Sequence, residues 1–366
     1  MPESILLKGR VSMSIEKLKY MLKTRGGAAL IMSEENVRYF TSFSSTNGYL
    51  LVTGENAFFL TDCRYIEAAQ KTIKAVDGVL LFENFEKSLV PLVKELEIKS
   101  LSVEGVRTTV QRLGELQKRF FEVTFETEKL DGEIDLLRSV KSEQERQKIV
   151  EAQRIAEKAL DMLLPKIKVG VTERELSLEL DYTMLRLGAQ ALSFETIAVS
   201  GKNGSMPHGV PGSKKIENGD FITFDFGAVY EDYHSDMTRT FAIGSVSDKQ
   251  RDVYETVLKA QKAAINAVKK GKKCCDIDKI ARDIISQNGC GEYFGHGLGH
   301  GVGVEIHEFP SVSPRSETVL ESGNVITIEP GIYIPGEFGV RSEDMLYVTD
   351  DGFCNLTKYP KELRIL

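Results

Sequence analysis

The chain lacks any run approaching the about 20 consecutive apolar residues that a membrane span needs, and its opening stretch, MPESILLKGR, has no apolar core of signal-peptide length. Those absences lead to the expectation of a cytoplasmic protein with no membrane partner. Positive charge is also in deficit. With 47 Lys and Arg against 54 Asp and Glu, the net charge is −7 and the pI near 5.5, which leaves no electrostatic basis for holding nucleic acid. Cysteine is sparse and unpatterned. Cys63, Cys274, Cys275, Cys290 and Cys354 form an odd set with no Cys-x-x-Cys pair, which argues against a disulfide framework and for reduced thiols. Histidine is missing altogether from the first 207 residues, and all five (His208, His234, His296, His300, His307) fall within one 100-residue window.

What is present is a soluble, globular composition, 42% hydrophobic and 28% charged, in a chain of 366 residues. That length exceeds one ordinary core, so two domains are expected. Over residues 1–130 helix and strand patterns alternate. Ile15, Leu18, Met21 and Leu22 make a helical stripe stopping at Gly26 and Gly27, AALIM reads as a buried strand, and YLLVT and AFFLT read as a hairpin. Further strands at VLLF and SLSVE alternate with helices near 86–97 and 108–120, giving an α/β unit. Over residues 131–366 capping boxes at Ser142/Glu145 and Thr172/Glu175 open two helices, and helices near 248–269 and 276–288 stop at Gly271 and Gly289. Strands surround them, so this unit reads as α+β.

The second unit repeats itself. ENGDFITFDFG around Asp225 returns as ESGNVITIEPG around Glu329, 104 residues on. Strand periodicity puts Phe221, Thr223 and Asp225 on one face and Ile222, Phe224 and Phe226 on the other, and it divides Thr327 and Glu329 from Ile326 and Ile328 in the same way. An inward carboxylate on an apolar strand is costly unless a cation meets it. A turn centred between Tyr230 and Glu231 would set Asp225 opposite Asp236, and the turn PGEFG would bring Glu343 back toward Glu329. Four carboxylates nearly balance two divalent ions, with a histidine of GHGLGHGVGVEIHE as the expected fifth ligand. Oxygen-rich donors with one imidazole suit manganese, cobalt or iron, and zinc less exclusively. Hydrolysis is the natural chemistry of such a pair.

DFGAVYEDYHSDMTRTF, HGLGHGVGVEIHE, TIEPGIYI and GVRSED, in this order, resemble the proline-specific branch of the pita-bread metallopeptidases, aminopeptidase P and prolidase. SEENVRYFTSFSSTNGYLLV and LTDCRYIEAA resemble the creatinase-like N-terminal domain of those enzymes. The resemblance implies a pita-bread catalytic domain with an internal pseudo-twofold repeat, a homodimer, and two divalent ions, manganese foremost, with cobalt, iron or zinc as alternatives. It implies Asp225, Asp236, His300, Glu329 and Glu343 as metal ligands, with Glu329 also catalytic. It implies His208 near the scissile bond, His307 at the tetrahedral intermediate, His296 in the substrate pocket, and Tyr333 and Arg341 as substrate contacts. The implied activity is removal of the residue preceding proline from a peptide or dipeptide. A creatinase-type amidinohydrolase and a non-catalytic peptide-binding module are the competing readings, and methionine aminopeptidase shares only the catalytic half. His234 has no motif partner and reads as exposed or rim.

Overall fold

The computed structural model describes residues 10–366; residues 1–9, most of the stretch weighed above as a leader, lie outside them. The chain forms two compact units that divide between Arg138 and Ser139, later than the boundary expected at 130. The reason is the helix Leu130–Ser139, which belongs to the first unit. It buries Leu130 and Ile134, its Leu137 carbonyl accepts from the Tyr39 hydroxyl at 2.9 Å, and Arg138 donates to the Asn36 side-chain oxygen at 2.7 Å.

The first unit runs α1 (Arg10–Arg25), β1 (Ala28–Ile31), α2 (Glu34–Thr41), β2 (Gly48–Val52), β3 (Ala57–Thr61), α3 (Ile66–Thr72), β4 (Gly78–Leu81), α4 (Val90–Glu95), β5 (Ser100–Val103), α5 (Val110–Arg119), β6 (Thr124–Glu126) and α6 (Leu130–Ser139). Its six strands make one mixed sheet in the order β4-β3-β2-β1-β5-β6. β1 is central, antiparallel to β2 and parallel to β5, and every residue of its AALI is buried, as an unbroken apolar run requires. The β2–β3 hairpin pairs Val52 with Ala57.

The second unit opens with α7 (Glu143–Leu163) and α8 (Glu173–Arg186), both started by the expected capping boxes. β7 (Ala191–Leu192), β8 (Ile197–Ser200), β9 (Phe221–Phe226), β10 (Ala228–Tyr230), β11 (Tyr233–His234) and β12 (Met237–Ala242) complete its first half. The second half repeats the plan with α9 (Asp248–Ala267) and α10 (Cys274–Gln287), then β13 (Gly299–Gly301), β14 (Glu308–Val312), β15 (Val325–Ile328), β16 (Gly331–Ile334), β17 (Phe338–Arg341), β18 (Asp344–Val348) and β19 (Phe353–Asn355). A third capping box, Ser247 with Gln250, starts α9.

Each half has its own apolar core between a helix pair and a hairpin. Leu160, Leu163, Leu176 and Leu180 pack with Ile222, Phe224 and Phe226 in the first. Val257, Ala264, Ile277 and Ala281 pack with Ile326, Ile328 and Leu346 in the second. The strand alternation read from sequence is therefore the alternation observed, and it leaves Asp225 and Glu329 on the opposite faces. All five cysteines are free, with Cys274 buried at the start of α10. No helix among the described residues is long and apolar enough to cross a membrane.

The Thr172 hydroxyl accepts from the Glu175 backbone N–H at 3.2 Å while the Glu175 carboxylate accepts from the Thr172 N–H at 2.8 Å. Thr172→Ala is expected to lower unfolding free energy by about 1 kcal/mol. An unchanged urea midpoint would show that the cap does not set the start of α8.

Candidate metal centre

The first hairpin delivers its carboxylates in a register different from the one expected. Tyr230 pairs with Tyr233 and Val229 with His234, leaving Glu231 and Asp232 as a two-residue loop with φ of 44° and 70°. Loops with both central residues left-handed match the right-handed twist of their strands. The hairpin is thus centred between Glu231 and Asp232, and Asp225 faces Thr238 rather than Asp236. Asp236 lies in the break between β11 and β12, where Gly227 admits the Ser235 carbonyl; a Cβ on Gly227 would stand 1.9 Å from that oxygen. The diagonal still brings the two carboxylates near each other, since the Asp225 charge, after burial and Glu343, raises the Asp236 proton affinity.

The second hairpin behaves as expected. Ile328 pairs with Asp344 and Gly331 with Arg341, so the break between these ladders sets Glu329 and Pro330 against Ser342 and Glu343. His300 arrives on β13, whose flanking Gly299 and Gly301 are obligatory. A Cβ on Gly299 would meet the Thr327 carbonyl at 2.0 Å, and one on Gly301 would meet the Phe309 carbonyl at 2.5 Å. The histidine-bearing strand therefore lies directly against β15.

These elements gather four carboxylates around one imidazole. His300 Nε2 is 3.5 Å from Asp236 Oδ2 and 3.4 Å from Glu329 Oε1. Asp236, His300 and Glu343 each offer a ligand atom within 4.8 Å of the others. The Asp225 carboxylate takes a 2.5 Å hydrogen bond from Arg341 Nη2, Glu343 Oε2 accepts from the Thr238 hydroxyl at 2.8 Å, and Glu329 accepts from the Thr327 hydroxyl at 3.3 Å. Thr327 also accepts from the His300 N–H at 3.1 Å. Sequence reasoning missed both threonines, although Thr327 shares the Glu329 face two residues earlier and was legible there; Thr238 needed the true register.

Electrostatics at this cluster call for cations. Burial first, and the neighbouring Asp225 charge after it, push Glu329 up to about 8, while Arg341 pulls the other way. Burial and then adjacent carboxylates raise Asp236 and Glu343 well above the ordinary range. Burial lowers His300 to about 4, so its ring is neutral. Its Nδ1 is 3.0 Å from the Gly301 carbonyl, which can only accept, so Nδ1 carries the proton and Nε2 presents a lone pair to the carboxylates. Asp225 Oδ1, Asp236 Oδ1 and Glu343 Oε1 are buried without any hydrogen-bond donor. Unpaired buried oxygens beside an imidazole lone pair are the donor set of a divalent cation, and the residues fit such an ion.

The other site residues surround this cluster. Arg341 donates to the Tyr333 hydroxyl at 2.7 Å and to the Pro207 carbonyl at 3.3 Å, which ties the segment bearing His208 to the carboxylates. Tyr333 in turn reaches His296 Nε2 at 3.0 Å, and His296 Nδ1 donates to the Gly297 carbonyl at 2.8 Å. Burial lowers His296 to about 4, so with both ring nitrogens engaged it has its ring to offer a substrate. His208 and His307 are exposed, and the His307 ring stands edge-on to His300 with centroids 4.4 Å apart. His234 is half-buried on β11, its backbone N–H on the Gly303 carbonyl at 2.9 Å.

Two supports were also missed. The fully buried Glu173 accepts from the Ser200 N–H, the Ser200 hydroxyl, the Asn203 amide and the Gly212 N–H at 2.7 to 3.2 Å, pinning both ends of the segment that carries His208. The Lys141 ammonium lies 2.5 Å from Glu308, next to His307, with both side chains buried. Neither partnership has a local sequence signal.

A duplicated helix-pair-and-hairpin unit with inward carboxylates from both halves defines a pita-bread catalytic unit of metal-dependent hydrolase type. Residues 147–350 match metallopeptidase family M24 and residues 15–140 match the creatinase/prolidase N-terminal domain, so the chain belongs to that metallopeptidase family. It is 42% identical over 352 residues to an Xaa-Pro dipeptidase of Pyrococcus furiosus, covering 95% of this chain and 99% of the relative. Among solved structures, an Xaa-Pro dipeptidase from Bacillus anthracis superposes with a TM-score of 0.93 at 41% identity, covering 97% of this chain and 100% of that one. An X-Pro aminopeptidase from Thermotoga maritima gives 0.87 at 35% identity, covering 93% and 97%.

The raised Glu329 value makes a linkage prediction. The folded metal-free protein keeps a proton that the unfolded chain gives up above 4.5, so this stabilisation is complete below 4.5 and is lost as pH rises through about 8. The melting temperature of chelator-treated protein is expected to fall across that window, and excess Mn²⁺ is expected to remove the fall. Calorimetry showing stability that rises with pH in the metal-free protein would contradict a carboxylate cluster held together by protons.

Proposed function

We propose that the protein hydrolyses the Xaa-Pro bond, acting on Xaa-Pro dipeptides, with Asp225, Asp236, His300, Glu329 and Glu343 as ligands of two divalent ions, manganese foremost. The carrying observation is the convergence of the Asp236, Glu329 and Glu343 carboxylates on His300, with Asp225 held beside them by Arg341 and three carboxylate oxygens buried without donors. The names of the relatives support the substrate class and favour a dipeptide. Filled donor positions at all five places favour a peptidase over a creatinase-type amidinohydrolase and over a decayed binding module. A homodimer is part of the proposal, supported by family resemblance.

When bound, the ions would acidify an attacking water and polarise the scissile carbonyl. The protein's own residues do the rest. Glu329, ionised once cations neutralise the cluster, takes a proton from the attacking water at its carboxylate and passes it to the proline nitrogen, which must be protonated to leave. His307, exposed and edge-on to His300, donates to the carbonyl oxygen as charge develops on it. His208 contacts the substrate beside the scissile bond. Arg341 stays cationic, fixes the Asp225 carboxylate at 2.5 Å and aligns Tyr333 at 2.7 Å, so that ligand and pocket wall move together. The imide nitrogen of proline carries no hydrogen, so binding cannot depend on the backbone donor that general peptidases use.

Mn²⁺-loaded protein is expected to release proline from an Xaa-Pro dipeptide faster than it trims an Xaa-Pro-initiated tripeptide, with two ions bound per chain. Faster trimming of the tripeptide would reassign the substrate to longer peptides, and binding of about one ion per chain or fewer would overturn the dinuclear centre. Glu329→Ala is expected to abolish measurable hydrolysis, a loss of at least about 100-fold, while far-UV dichroism stays native. His307→Ala should lower kcat more than it raises KM, since its contact belongs to the transition state. Unchanged kcat with a raised KM would make it a binding residue instead.

A further inference from the structure

Arg239, in the SDMTRTF segment of β12, is almost fully buried yet touches none of the carboxylates around His300 directly. Its donors are all committed. Nε donates to the Pro360 carbonyl at 3.0 Å; Nη1 donates to the Thr238 carbonyl at 2.9 Å and the Glu343 carbonyl at 2.6 Å; Nη2 donates to Asp344 Oδ1 at 2.8 Å and the Tyr359 carbonyl at 2.7 Å. One guanidinium thus joins the two halves of the catalytic unit and the chain's last turns at the backbone of Glu343.

Glu343 needs such a hold. It lies in the gap between β17 and β18, and its own N–H reaches the Thr238 carbonyl only at 3.2 Å. The C-terminal tail is itself anchored on both halves. Lys358 and Tyr359 N–H groups donate to Glu157 of α7 at 2.6 and 3.2 Å, the Tyr254 hydroxyl of α9 donates to the Lys361 carbonyl at 3.0 Å, and the Leu366 N–H donates to the Ala242 carbonyl at 2.9 Å. The buried Asp344 carboxylate, next to Glu343, receives Arg239, the Asn355 amide and the Lys361 ammonium.

We infer that Arg239, Asp344 and the tail residues Tyr359–Lys361 form a positioning device for the Glu343 carboxylate, which makes the C-terminal tail a working part of the metal centre. The inference rests on Glu343 being a metal ligand. A planar fork with five donors meets this set of acceptors, and an ammonium with three donors on a flexible stem cannot.

The test is calorimetric titration of chelator-treated full-length protein with Mn²⁺, beside the rise in melting temperature that Mn²⁺ produces. Arg239→Lys keeps a positive charge against Asp344. It is expected to weaken binding of at least one ion about tenfold and to shrink the Mn²⁺-induced rise. Lys361→Met, which withdraws the tail's ammonium from Asp344 at a partly exposed position, should shift affinity in the same direction by a smaller factor. A purely structural role would lower the melting temperature of metal-free and loaded protein equally and leave Mn²⁺ affinity untouched; that result in both variants overturns the proposal. Should Arg239→Lys not fold, Lys361→Met alone decides in the same way. Glu343→Gln separates the two levels. If it binds Mn²⁺ as the parent does, the ligand reading fails and the positioning proposal with it. If it loses an ion while Arg239→Lys and Lys361→Met lose nothing, only the positioning proposal fails.

Discussion

Four acidic side chains forced into one buried cluster are the constraint around which the catalytic unit is organised. Two unit charges about 4 Å apart repel by about 4 kcal/mol at an effective dielectric of 20, and Asp225, Asp236, Glu329 and Glu343 have one nearby guanidinium, Arg341, among them. Burial first, and this repulsion after it, hold three of the four above their ordinary range, and protons relieve part of both costs. Cations relieve more. The neutral tautomer of His300, locked by the Gly301 carbonyl, adds a lone pair to the same cluster and makes it worse without metal and better with it.

The duplicated plan shows how such a cluster can fold at all. Each half has its own apolar core, with Ile222, Phe224 and Phe226 in one and Ile326 and Ile328 in the other. The carboxylates face away from those cores and toward each other, so gathering them interrupts neither core. The halves are not equivalent. A two-residue loop sets the first hairpin and a three-residue loop, Pro335 to Glu337, the second, and only the second half is flanked by the glycine-bracketed strand that carries His300. Asp225 consequently takes Arg341, whereas Glu329 takes Thr327 and lies beside the imidazole. Inequivalent surroundings for the two carboxylates suit the proposed site, which must bind a peptide in one direction.

Around this cluster lies a ring of buried charges that never reach it. Glu173 fixes the segment bearing His208, the Lys141–Glu308 pair backs His307, and Arg239 holds the backbone of Glu343. Each charge has partners, as burial demands, Glu173 in neutral donors and Lys141 and Arg239 in carboxylates, and each holds one segment that carries a candidate site residue. The exposed histidines are thus presented by rigid supports, the condition for holding donors to a fraction of an ångström.

Much of this was determined by sequence alone. Period-two alternation within ENGDFITFDFG and ESGNVITIEPG is local, and it assigned Asp225 and Glu329 to the face opposite the core. The capping boxes at Ser142 and Thr172 are local too, and the clustering of histidines marked the right third of the chain. Register was not local. Whether Asp225 faces Asp236 or Thr238 turned on which two residues occupy the left-handed loop, Glu231 and Asp232, and neither is a glycine that would have announced it. The end of the first unit depended on Tyr39 and Asn36 capturing a helix about a hundred residues away. Pairings such as Lys141 with Glu308, or Arg239 with the C-terminal tail, join residues more than a hundred positions apart; a buried charge shows in sequence only as a charge, and its partner exists only once the chain has closed.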